Sequence, residues 1–223
     1  MSAIHAVLKP VFLAVLLTLF AANPVHAFGL GDLGGGLVGG LLGGDDKLGA
    51  QQDKITGALR SALLNLAKSQ ALMAKALGLD EKAMLAEQNA ANLEKSGDLG
   101  ADVDWDKVIE NSAAVQEAVA EEAARKTVLD AGSKVVFVSS VPFYIKGVLG
   151  SVQTGKDAAA IGQSMGAKPD LSIITKAGAL LTIIKNLPTL ISSLSGSTGK
   201  IIDFMTVNEI DTSEMDGQLA NAF

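Results

Sequence analysis

Residues 134–152 read KVVFVSSVPFYIKGVLGSV, and the conformation of this stretch decides the fold class. Its valines and aromatic residues suit a strand. A strand needs a partner, however, and the chain offers no second convincing one. The reading that remains is a buried helix, bent near Pro142, whose ring removes a backbone donor. With this stretch helical, the chain is expected to be all-α: a single helical-bundle domain of about five to seven helices after a signal peptide and a Gly-rich arm.

On the amino-terminal side, Ile55, Leu59, Leu63, Leu66, Met73 and Leu77 recur at helical spacing from about Ala50 to Leu77. Asp45 and Asp46 are candidates for the start, and Gly78 is a stop. Asp80 is expected to cap a second helix, roughly Glu81 to Lys95, ended by Ser96 and Gly97. The short link between the two predicts an antiparallel pair. Asp104 is expected to cap a third helix from Trp105 to about Ala131, with Gly132 at its end. Val108, Ser112, Val115 and Val119 share one face of it.

On the carboxy-terminal side, a small helix is expected around 156–165. Asp170 then caps a long apolar helix reaching about Leu194. Ile173, Ala177, Leu180, Ile184 and Leu187 line one face, Ile174, Leu181 and Ile191 widen it, and Pro188 bends it. A short element at about 198–208 precedes a polar tail, residues 211–223. The apolar segments 135–152 and 171–194 raise the question of membrane insertion. Lys176 and Lys185 lie within the second, and a mid-membrane charge costs about 2.5–3.5 kcal/mol. A core helix with its lysines at the solvent edge is the preferred reading.

Residues 1–27 have the parts of a secretory signal. Lys9 supplies positive charge, Val11 to Ala22 is an uninterrupted apolar run, and Asn23-Pro24 ends it. That run is shorter than the about 20 residues a spanning helix needs. Val25-His26-Ala27 offers small residues for cleavage between Ala27 and Phe28. No cysteine follows, which excludes a lipoprotein anchor, and no arginine pair precedes. A periplasmic or secreted location is therefore expected. Residues 28–47 are expected to form a flexible Gly/Leu-rich segment, since 29–44 hold nine glycines and five leucines. The helical domain is placed at 48–210.

Removing residues 1–27 takes out one lysine, both histidines and no acid, leaving 17 basic against 24 acidic residues, a net charge of −7. That balance argues against nucleic acid and anionic lipid as partners. With no cysteine and no mature histidine, there is no catalytic triad, cysteine nucleophile or imidazole base. Zinc is improbable for the same reason, and no cofactor is expected.

Several local patterns approach known chemistry and fall short. Residues 150–157, GSVQTGKD, place Gly150, Gly155 and Lys156 as in a phosphate loop. Asp157 stands where a hydroxyl should hold magnesium, so the segment reads as a glycine turn. Ser197 and Lys200 have the spacing of an acyl-enzyme pair without its companion motifs, and GSTGK at 196–200 also reads as a turn. Asp102, Asp104 and Asp106 match the first three ligand positions of a calcium loop. Lys107 replaces its glycine and Ala113 its bidentate glutamate, so capping of the third helix is the better reading. Glu117, Glu121 and Glu122 read as a solvated face.

What is left is an exported, non-enzymatic helical protein that acts by protein–protein interaction or self-association in the cell envelope. Binding of an apolar ligand or lipid, or action on a membrane, is the alternative. It is motivated by the Gly/Leu segment and by glycines at 147, 150, 155, 162 and 178, which allow close helix approach. An enzyme using only carboxylates and lysines is a distant third.

Overall fold

The structure, a computed structural model, describes residues 45–97, 103–125, 127–165 and 178–223. The expected signal peptide, most of the Gly/Leu segment, Asp102, Asp170 and Lys176 lie outside these residues. Among the described residues there are six helices and no strand: α1 (Asp45–Ala76), α2 (Asp80–Lys95), α3 (Trp105–Ala124), α4 (Ala131–Met165), α5 (Gly178–Val207) and α6 (Ser213–Leu219). They form a single helical bundle.

α1 is the central member. It packs most extensively on α4 and also meets α2, α3 and α5, while α3 and α5 form the second large contact. The periodic residues Ile55, Leu59, Leu63, Leu66 and Met73 are all buried, as helical spacing requires. α1 ends as its glycine dictates. Gly78 has φ of +74°, the Leu79 amide donates to the Ala74 carbonyl at 2.8 Å, and the Gly78 amide donates to Lys75 at 3.2 Å. Leu79 is thereby also the N-cap of α2, its carbonyl accepting from the Ala83 amide at 2.9 Å. Asp80 is the first residue of α2 rather than its cap. Its charge still complements the helix dipole there. At the other end of α2, Arg60 from α1 donates to the Leu93 carbonyl at 2.7 Å and the Glu94 carbonyl at 3.3 Å, satisfying acceptors that the helix leaves orphaned.

α3 starts as expected, with the Lys107 amide donating to Asp104 Oδ1 at 3.1 Å. It ends at Ala124, well before the expected limit at Ala131. Two anchors account for this. Asn208, just past the end of α5, accepts from the Leu129 amide at 2.7 Å and donates to the Thr127 carbonyl at 3.2 Å, which ties this segment to the end of α5. Asp130 then accepts from the Ser133 amide at 2.9 Å and the Ser133 hydroxyl at 3.1 Å, which starts α4. Gly132 therefore lies in the first turn of α4.

The deciding stretch 134–152 is helical, within a helix of 35 residues. Continuity extends further than expected. The separate helix at 156–165 is the end of α4, and the element at 198–208 is the end of α5. Pro142 and Pro188 sit inside these helices, on exposed faces. The glycines expected to make turns lie in helix. A Cβ on Gly147 would sit 2.7 Å from the Leu66 backbone nitrogen, and one on Gly150 would sit 2.8 Å from the Ala62 Cβ. These two positions let α4 lie close against α1. The polar tail carries α6, with Met215, Leu219 and Ala222 buried.

Candidate functional site on the fourth helix

α4 is apolar on more than one side, so it presents three distinct surfaces. The first faces the bundle, where Phe137, Tyr144, Ile145 and Val148 are buried and Phe137 meets Phe204 with ring centroids 5.1 Å apart. Within this face lies a buried hydrogen-bond chain. Gln70 Nε2 donates to the Ser112 carbonyl at 2.7 Å and to Gln116 Oε1 at 3.2 Å. Gln116 Nε2 donates to Ser197 Oγ at 2.7 Å and to Tyr144 Oη at 3.1 Å. The Tyr144 and Thr198 hydroxyls lie 3.0 Å apart. Ser197 and Thr198 both donate to the Leu194 carbonyl, at 3.1 and 2.7 Å. The Thr198 proton is thereby engaged, so Tyr144 donates to Thr198. One connected set of polar groups thus ties α1, α3, α4 and α5 together at a fixed register. Burial pushes the Tyr144 phenol above its ordinary pKa, partly offset by its contacts with Thr198, Ser197 and Gln116.

The second surface is a groove of about 620 Å³ between the carboxy-terminal half of α4 and α5. Ala158 and Ala159 line one wall, Ile184, Leu187 and Ile191 the other, and Phe223 stands at the rim, 50% exposed. Gly155 and Gly162 both face this wall, against Ile191 and Ile184.

The third surface is an apolar strip facing away from the bundle. Ala131, Val135, Val138 and Pro142 are exposed, with Val135 at 59% and Val138 at 45%. Their 4-3-4 spacing is that of a helix-pairing seam. The exposed Val128 precedes it in the loop, and the exposed Lys146 follows it one turn on. α4 is also, among the described residues, the helix long and apolar enough to cross a membrane, and half of that apolar window is buried in the bundle.

The residues singled out in the sequence are dispersed. Gly150, Gly155, Lys156 and Asp157 lie on a helix, with Lys156 Nζ 3.4 Å from the Ala222 carbonyl, so their backbone forms no phosphate cradle. Burial pushes the Asp157 carboxyl up, against the lowering effects of a 3.0 Å hydrogen bond from Gln153 and the charge of Lys54. Ser197 faces the core while Lys200 faces solvent, which separates the acyl-enzyme pair. Asp104 is engaged as a cap and Asp106 accepts from Asn186. Glu117 and Glu121 border a shallow depression that also holds Lys200, and Glu122 pairs with Arg125 at 2.8 Å. Among the described residues no group of three or more His, Asp or Glu side chains is placed to hold a metal ion.

No family model, curated protein or solved structure matches this chain.

Sequence reasoning missed both the polar chain and the exposed strip. The signal for the strip was present: Ala131, Val135, Val138 and Pro142 form a second seam, offset from the buried one at Phe137, Val141, Tyr144 and Val148. A helix apolar on two sides needs two neighbours.

Proposed function

We propose that this protein is an exported, non-enzymatic interaction protein. Its helical bundle presents the outer face of α4 to another protein, or to a copy of itself, in the cell envelope. The exposed strip Ala131, Val135, Val138, Pro142 carries the reading, because a well-packed bundle has no internal use for a second seam on one helix. The signal-like residues 1–27 and the lack of cysteine and mature histidine support it. Native mass spectrometry on protein purified gently from its own compartment tests it. A mature chain beginning at Phe28 and found oligomeric or partner-bound is the expected result. A bare monomer with no partner recovered by crosslinking overturns the reading.

The groove between α4 and α5 favours a second reading, the binding of an apolar ligand or lipid. Lipid-sized adducts in the same spectrum would support it, provided that Ile191→Glu removes them. Absence of adducts and of liposome binding would count against it.

A further inference from the structure

We propose that the pocket between α2 and α3 binds a small organic carboxylate, an anion carried on a short carbon skeleton. The pocket shares no lining residue with the groove between α4 and α5, and its role goes beyond the interaction reading above.

The pocket has a volume of about 410 Å³, within the about 300–1,000 Å³ usual for small-molecule sites. Asn89 decides what it takes. This residue of α2 lines the pocket, one turn from Leu85 and one turn from Asn92, yet it is only 2% exposed. Its Oδ1 accepts from Asn111 Nδ2 of α3 at 3.2 Å. Its Nδ2 has no partner among the described residues. A buried N–H without an acceptor is costly, and an acceptor from outside the chain reaches Asn89 through the pocket that it lines.

The surroundings set the ligand's charge. Lys95 stands on the α2 wall and Lys107 on the α3 wall, both exposed. Asp104 is the one acid among the lining residues, and its Oδ1 already accepts from the Lys107 amide. Glu94, beside Lys95, pairs with Lys68 at 2.8 Å. Positive charge therefore exceeds negative here, although the mature chain carries a net charge of −7. That wider charge acts weakly, since salt screens it beyond about 8 Å at physiological ionic strength. Two ammonium groups and a buried donor select an anion over a cation or a neutral molecule. Leu85, Val103 and Val108 complete the walls. They suit a carbon skeleton beside the charged group, which inorganic phosphate lacks.

The probe is sodium butyrate, titrated into the isotope-labelled mature chain, with the side-chain amide signals of Asn89 and Asn111 read by nuclear magnetic resonance. Butyramide and inorganic phosphate are the controls. Butyrate is expected to shift both signals saturably, and the controls to shift them far less. Lys95→Gln combined with Lys107→Gln, both at exposed positions, is expected to weaken butyrate binding by roughly tenfold or more while leaving the circular dichroism unchanged. Asn89→Asp keeps the shape but sets a carboxylate at the floor, and is expected to abolish binding. The lysine variant keeps the test decisive if Asn89→Asp does not fold. Undiminished binding by the lysine variant overturns the proposal. Equal shifts from butyramide mean a neutral amide site and overturn the carboxylate. Equal shifts from phosphate mean an adventitious ion only, and overturn it too. Shifts at Ile184 and Ile191 in place of Asn89 put the probe in the groove between α4 and α5 and overturn this site. A spectrum that butyrate leaves unchanged means that the chain meets the Asn89 donor itself, and overturns the proposal.

Discussion

Tyr144 is the one tyrosine in the chain, and it is buried beneath three hydrogen-bond partners. Its folded pKa is raised, so the sign of the pH effect is fixed. Below about pH 10 the phenol is protonated in folded and unfolded chains alike, and its burial contributes fully. Above that, the unfolded chain loses the proton first, and stability falls as pH rises. Alkaline titration should therefore show tyrosinate absorbance appearing together with loss of helical circular dichroism. Tyrosinate formed by a still-folded protein would contradict the buried network. Glu209 gives a second prediction at this scale. It ends α5 with φ of 54°, the left-handed position that Gly78 and Gly97 fill at the ends of α1 and α2. Its neighbour completes the same closure, the Ile210 amide donating to Met205 at 2.9 Å. Glu209→Gly should relieve strain and raise stability by about 1 kcal/mol, measured by denaturant unfolding.

At the scale of the helix, glycine has two opposite meanings here, and two substitutions separate them. Gly147 sits against the Leu66 backbone, which cannot move aside without shifting α1. Gly147→Ala should cost about 1–3 kcal/mol. Gly199, inside α5, has nothing within 4 Å of its missing Cβ, so Gly199→Ala should stabilise by about 0.5–1 kcal/mol. Thermal unfolding of both variants decides the matter, and equal signs would refute the packing described. This ambiguity also explains what could be read from the sequence. Helical periodicity and the Gly78 and Asp104 signals were legible because they are local. Gly150 and Gly155 suggested turns because nothing local distinguishes a turn glycine from one pressed against Ala62 or Ile191. The early end of α3 was hidden for a related reason, since it depends on Asn208, far downstream at the end of α5. The calcium and phosphate patterns rested on spacing alone. The strip on α4 was readable, yet the whole stretch 134–152 read as a buried helix until the structure showed which side faces inward.

For the whole molecule, the carboxy terminus belongs to the bundle. Met215, Leu219 and Ala222 are buried, and Phe223 borders the groove. Removing residues 211–223 should cost about 3–5 kcal/mol, from the burial of one methionine and one leucine side chain. Denaturant unfolding of the shortened chain would show this, and unchanged stability would mean that α6 is dispensable. The pairing of α1 with α4 has a consequence for the newly made chain. These two helices form the most extensive contact in the protein, yet α2 and α3 lie between them in sequence, so Leu66 and Gly147 are far apart along the chain. As the polypeptide is synthesised, Ile55, Leu59 and Leu63 emerge long before the helix that covers them exists. Contacts between distant segments form late and slow the search for the native state. An emerging chain of this topology therefore keeps the α4-facing side of its central helix uncovered until α4 has been made, although α2 and α3 can already pack elsewhere on it. That interval is when a chaperone, which handles unfolded polypeptide, can engage it.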